Sequence, residues 1–224
     1  MKVKRSFTRM NSQFATVLMA GAAAFLLYSV PARAGLLEIS IESPINVNAG
    51  TSSDGFDVLL TNLSGPAVSL AGFTFEISVP STDIQLSEAN TGTLLDPYIF
   101  NGNSLFGPNI TVPPNTGQDL RASDLYSAIG SGITLGAGAT VGLGHILFDV
   151  SATAHSETVP VTFAASPATS LSDDLANNVP INTLNNGQIN ITGTVPEPSY
   201  RLLLLTAGAF LFFGRTLRVG RPNR

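Results

Sequence analysis

The chain has 224 residues, room for one domain once both ends are set aside. It contains no cysteine, which excludes disulfides, thiolate catalysis and cysteine-based zinc or iron–sulfur sites. Ten of its eleven Lys and Arg lie at the ends: Lys2, Lys4, Arg5, Arg9 and Arg33 in front, Arg201, Arg215, Arg218, Arg221 and Arg224 behind. Between Gly35 and Val195 only Arg121 is basic, against fourteen Asp and Glu, a formal charge of −13. Such a segment excludes nucleic acid as a partner, because affinity for a phosphate backbone comes from Lys and Arg. The same charge favours solubility and attracts cations.

Residues 1–34 carry the three zones of a secretory signal peptide. Lys2, Lys4, Arg5 and Arg9 form the basic zone, and an apolar, helix-forming stretch runs from about Phe14 to Val30. Pro31-Ala32-Arg33-Ala34 supplies an Ala-x-Ala site, with Ala32 and Ala34 as its small residues, so cleavage is expected after Ala34. The paired arginines of a twin-arginine signal are missing, which points to the Sec export machinery. The alternative is an uncleaved membrane anchor.

Residues 35–194 read as strands. Leu37 to Glu42 alternates apolar and polar, as a half-buried strand does. Phe56 to Thr61 follows, then Ala71 to Val79, which places Phe73, Phe75, Ile77 and Val79 on one face. Ile84 to Ser87, Val141 to Val150, Val159 to Phe163 and Gln188 to Thr192 complete the set. Turn formers separate them: Asn48-Ala49-Gly50, Ser53-Asp54-Gly55, Ser64-Gly65-Pro66, Asn101-Gly102-Asn103 and Asn185-Asn186-Gly187. Short strands with regular turns and hardly any helical pattern imply an all-β fold, a single antiparallel β-sandwich. Glu88 to Ala128 is less regular. Pro97, Pro108, Pro113 and Pro114 argue against central strands there. Gln118 to Ala128 fits a strand or a short helix about equally, and long loops covering one face are expected.

Five stretches resemble a cohesin-type domain. Val47-Asn48-Ala49-Gly50, Phe56 to Asn62 and Leu70 to Ile77 look like its opening. Leu143 to Val150 resembles its middle strand, and Asn186 to Ile191 its closing strand. The resemblance implies a jelly-roll sandwich close in architecture to some carbohydrate-binding modules.

Residues 195–224 form a composite tail. Val195-Pro196-Glu197-Pro198-Ser199 precedes Tyr200 and Arg201, an apolar run from Leu202 to Phe213, and the terminal arginines. That run of 12 residues falls short of the roughly 20 a spanning helix needs. Terminal arginines favour the cytoplasmic side. The tail resembles the PEP-CTERM sorting signal of Gram-negative bacteria, with Val195, Pro196, Glu197 and Pro198 as the motif, followed by a short transmembrane helix and an Arg-rich end. Arg201 departs from the pattern by standing where the helix begins. The resemblance implies an exosortase as partner, transient anchoring in the inner membrane, and release to the cell surface or the extracellular matrix of an exopolysaccharide-forming biofilm.

Candidate chemistry in the middle is sparse. His145 and His155 are the only histidines, and no Gly-x-Ser-x-Gly elbow accompanies them. Alternation puts His145 on a face with Leu143 and Leu147, as a strand histidine facing a loop or solvent. Fourteen acids always offer carboxylate pairs, but none is singled out, and the absence of Trp weakens the usual sugar-stacking platform. Asp54 with Asp57, and Asp173 with Asp174, Asn177 and Asn178, gather oxygen ligands of the kind calcium takes. Neither matches a calcium-loop motif, and solvated turns are the ordinary alternative. Asn62, Asn109 and Asn190 open formal glycosylation sequons. No catalytic residue and no cofactor other than calcium at Asp173, Asp174 and Asn177 is suggested. The sequence favours a structural or adhesive surface protein. The alternative is a module binding a protein or a polysaccharide, with Tyr98, Phe100, Phe106 and Tyr126 as the aromatic residues to inspect.

Overall fold

Apolar residues at every second position fix which face of each strand turns inward. In the computed structural model, which describes residues 36–193, this pattern builds two facing sheets around one core. The strands are, in sequence order, β1 (Leu37–Ile41), β2 (Ile45–Asn48), β3 (Asp54–Asn62), β4 (Val68–Leu70), β5 (Gly72–Ser78), β6 (Ile84–Asn90), β7 (Thr111–Val112) and β8 (Asp119–Leu125). There follow β9 (Ile133–Leu135), β10 (Thr140–Val150), β11 (Glu157–Phe163), β12 (Ser170–Ser172), β13 (Asn178–Val179), β14 (Thr183–Asn185) and β15 (Gly187–Thr192). The first sheet has the order β14-β1-β3-β10-β6; the second runs β13-β12-β5-β11-β15-β2, with β8 and then β7 added beside β5. The short β4–β9 pair stands apart from both.

Two pairs are parallel, a departure from the purely antiparallel expectation. β1 pairs with β14 in one sheet, and β2 with β15 in the other. β1 and β2 follow each other in sequence, as do β14 and β15, so two segments cross from sheet to sheet side by side. Gly187 sits at this crossing. A Cβ there would come within 2.5 Å of the Ile41 side chain, so only glycine fits.

The core mixes aliphatic side chains with two groups of aromatic rings. Phe56 and Phe148 pack at 5.8 Å between ring centres. Phe73, Phe75, Tyr98, Phe100 and Tyr126 form a continuous aromatic cluster, with centre-to-centre distances of 5.8 to 6.4 Å. Phe73, Phe75, Ile77 and Val79 share the buried face of β5 and its continuation, as alternation requires.

Two expectations are corrected, and one open alternative is decided. Gln118 to Ala128 contains a strand, β8, lying centrally between β5 and β7. Leu120 and Asp124 are four apart, a spacing that shares a face in a helix and in a strand alike, so the sequence left both open. The prolines all lie outside β8 and do not interrupt it. Asp54 and Gly55 belong to β3, so the turn before it ends at Ser53. A bulge between Gly142 and Gly144 shifts the register of β10 on β3, which turns Leu143 into the core while His145 and Leu147 face outward.

The signal peptide at 1–34 and the tail at 195–224 lie outside the described residues, as do Ala32, Ala34 and the Val195–Pro198 motif. Among the described residues no helix is long and apolar enough to cross a membrane.

Candidate functional site

The connection from β6 to β7, residues 91–110, is the most elaborated part of the described structure. Its ends are joined, with Thr91 N donating to Pro108 O and Ile110 N to Ala89 O. Midway it docks on the bulged part of β10, where Ile99 N donates to Gly142 O and Gly142 N to Pro97 O. Thr93 packs where a Cβ of Gly142 would stand, so the glycine admits the loop onto the outer face of the first sheet.

Two buried carboxylates, one from each sheet, hold this loop. Asp57 lies on the outward face of β3 yet is fully buried, because the loop covers it. Its Oδ2 accepts the backbone N–H of Leu94 at 2.6 Å and of Leu95 at 2.7 Å. Its Oδ1 accepts from Nδ1 of His145 at 2.7 Å, across the β3–β10 register. Burial pushes the Asp57 carboxyl up, but the hydrogen bonds from His145, Leu95 and Leu94 and the charge on His145 outweigh it and hold it below the ordinary 3.8.

Asp124 is the counterpart on β8, fully buried on the inner face. It accepts from Tyr98 Oη at 2.6 Å, Ser104 Oγ at 2.5 Å, Phe106 N at 3.0 Å and Leu105 N at 3.2 Å, and from Leu125 N at 2.8 Å. Burial and the Asp124 hydrogen bond drive the Tyr98 phenol far above its usual range, so it stays a donor. Each carboxylate is thus ringed by donors, which is what makes a buried charge tolerable.

What the loop displays is apolar. Each carboxylate grips the consecutive N–H groups of two large hydrophobic residues whose side chains point to solvent: Leu94 and Leu95 are 77% and 55% exposed, Leu105 and Phe106 51% and 52%. Leu125 is also exposed and hydrogen-bonds Leu105 through its carbonyl. Single exposed hydrophobics are ordinary. Four on one loop, anchored by two buried charges, are not.

The residues singled out by sequence are distributed differently. Tyr98 and Phe100 are core plugs, Tyr126 is half-buried against them, and only Phe106 is displayed. His145 does not simply face solvent: its side chain is 13% exposed and committed to Asp57. Its other ring nitrogen lies over Gly55, where any Cβ would collide with it. Among the described residues no Ser or Thr hydroxyl hydrogen-bonds that nitrogen. Asp54 and Asp57 have different partners: Asp54 Oδ1 accepts from Gly55 N, whereas Asp57 is held by His145 and the loop. Asn62 is buried with its amide donating to Pro66 O and Leu135 O, which removes it as a glycan acceptor.

Asp173 and Asn177 are brought together within one turn. Asp173 Oδ1 accepts from Leu175 N and Asn177 N, and Oδ2 from Asn177 Nδ2, bridging a left-handed Ala176. These bonds lower the Asp173 carboxyl, with Asn177 the larger contributor. Asp174 is exposed. Among the described residues no three His, Asp or Glu are grouped to hold a metal ion. A groove of about 520 Å3, near β12 to β14, has no titratable side chain in its lining.

The fold defines the class: an all-β jelly-roll sandwich. Solved structures narrow it to a cohesin-like sandwich. The protein is similar to a component of a type I cohesin–dockerin complex from Clostridium thermocellum, at 11% identity and a TM-score of 0.53, over 71% of this protein and 96% of that one. A second Clostridium thermocellum type I complex matches at 18% identity and 0.51, over 70% and 99%. The sixth cohesin of scaffoldin B from Acetivibrio cellulolyticus, solved with a dockerin, matches at 15% and 0.51, again over 70% and 99%. No protein-family model and no curated protein matches the sequence.

Proposed function

We propose that this is an exported, surface-sorted protein whose sandwich is a non-catalytic module docking another protein through the 91–110 loop. The observation that carries the docking reading is the anchored display of Leu94, Leu95, Leu105 and Phe106. Fully burying a side chain of this size contributes about 1.5–3 kcal/mol. A loop already fixed by its own carboxylates loses little further entropy on binding, so more of that gain appears as affinity. The cohesin-like fold agrees with such a role, and the comparison structures bearing that fold were solved with dockerin partners.

Export and sorting rest on the two ends. The Ala-x-Ala zone places the mature start at Gly35, and the Val195–Pro198 motif with its apolar run and arginines suits exosortase processing. The same tail favours a second reading, a structural or adhesive part within a polysaccharide matrix.

Each half has its own test. Protein from the native host, measured by intact mass, is expected to begin at Gly35 and end near Pro198. A tail intact through Arg224 overturns sorting. For docking, the mature protein is immobilised and exposed to the host's extracellular fraction beside a Leu95→Asp/Phe106→Asp variant with the same melting temperature. A discrete polypeptide retained by the first and lost by the second is expected; equal retention overturns the loop's role.

A further inference from the structure

The corner where β7 meets β8 carries a groove of about 440 Å3 that the docking loop borders through Phe106. The apolar part of its lining is Phe106, Ile110, Val112 and Pro113. Arg121 stands on its rim. This is the one Lys or Arg among fourteen carboxylates between Gly35 and Val195. Yet among the described residues no carboxylate pairs with it, although Glu76 lies directly opposite in the β5–β8 register. An exposed guanidinium left unpaired on so acidic a domain is available to an incoming anion.

The other hydroxyls of the groove and the Asn109 carbonyl oxygen are already committed. Thr111 Oγ1 donates to Ala89 O and accepts from Ala89 N. Ser123 Oγ donates to Phe73 O and accepts from Thr74 Oγ1. Asn109 Oδ1 accepts from Thr111 N. A sugar ring needs several free donors and acceptors and finds few here. A polyanion is turned away by the charge of −13 between Gly35 and Val195. What fits is a lone carboxylate carried beside an aliphatic side chain.

Resting on the docking reading, we propose that this groove is the partner's specificity subsite. It takes a carboxylate adjacent to an aliphatic residue, such as a C-terminal leucine or a leucine with a neighbouring Asp or Glu. The carboxylate pairs with Arg121 in the planar, two-pronged geometry a guanidinium favours. The aliphatic group lies between Phe106 and Val112.

The probe is N-acetyl-leucine, with N-acetyl-leucinamide as the same body lacking the charge, titrated into 15N-labelled full-length protein. N-acetyl-leucine is expected to shift the resonances of Phe106, Val112, Arg121 and Ser123, with a dissociation constant on the order of millimolar. The amide is expected to bind about tenfold more weakly, and Arg121→Gln to erase the difference while leaving core resonances such as Phe56 in place. Equal binding of acid and amide, or acid binding that Arg121→Gln leaves unchanged, overturns the assignment. Partner retention lost in Leu95→Asp/Phe106→Asp but kept in Arg121→Gln also overturns it, while leaving the docking function standing.

Discussion

Replacing Asp57 by alanine is expected to lower the unfolding free energy by about 3–5 kcal/mol, a fall in melting temperature on the order of 10 °C. The loss has three parts. Two backbone N–H groups, of Leu94 and Leu95, lose their acceptor, and His145 keeps a polar ring in a mostly buried site without a partner. Thermal or urea unfolding of wild type and variant measures it; a change below about 1 kcal/mol would mean that the loop finds other acceptors.

The same carboxyl gives a pH signature. Its folded pKa lies below 3.8. As pH falls, the unfolded state takes up the proton first, so the group's stabilisation is full above 3.8 and is lost as pH falls through the folded pKa. Wild type is therefore expected to lose stability more steeply below about pH 4 than Asp57→Asn does.

Asp124→Ala is the second large effect, again about 3–5 kcal/mol, because five donors lose one shared acceptor. Tyr98→Phe in the same network removes one donor and is expected to cost only about 1 kcal/mol. The ratio between the two distinguishes a shared anchor from a set of independent bonds. Equal losses would contradict the idea that Asp124 organises the loop.

The sandwich was legible because strand alternation is a local signal. Phe73, Phe75, Ile77 and Val79 announce their face in seven residues, and the fold places them there. The bulge at Gly142–Gly144 was not legible, since nothing local says that two residues will oppose one. It decides where Leu143 and His145 point. The anchored loop was hidden for a related reason. Asp57 and Leu94 are 37 positions apart, and Asp124 and Phe106 18 apart, so their pairing is tertiary. The faint signals available were an acid in the middle of two strands that otherwise alternate well, and two pairs of adjacent large hydrophobics inside a Gly- and Pro-rich stretch. Asp57 in Phe56-Asp57-Val58 reads as an outward residue, which by strand register it is; only the loop folded over it makes it buried. Tyr98 and Phe100 misled in the opposite direction, because a loop crossing an open end of a sandwich has to fill that end with something large.

Buried carboxylates hold residues 91–110 as a fixed apolar display. Amide hydrogen exchange tests it most directly. The amides of Leu94, Leu95, Leu105 and Phe106 are expected to exchange almost as slowly as those of Phe56 and Leu60 in the core. In Asp57→Ala the first two should speed up well beyond the core amides, while the other two speed up no more than the core does. Exchange of all four at the rate of an unstructured peptide in the wild-type protein would contradict the claim.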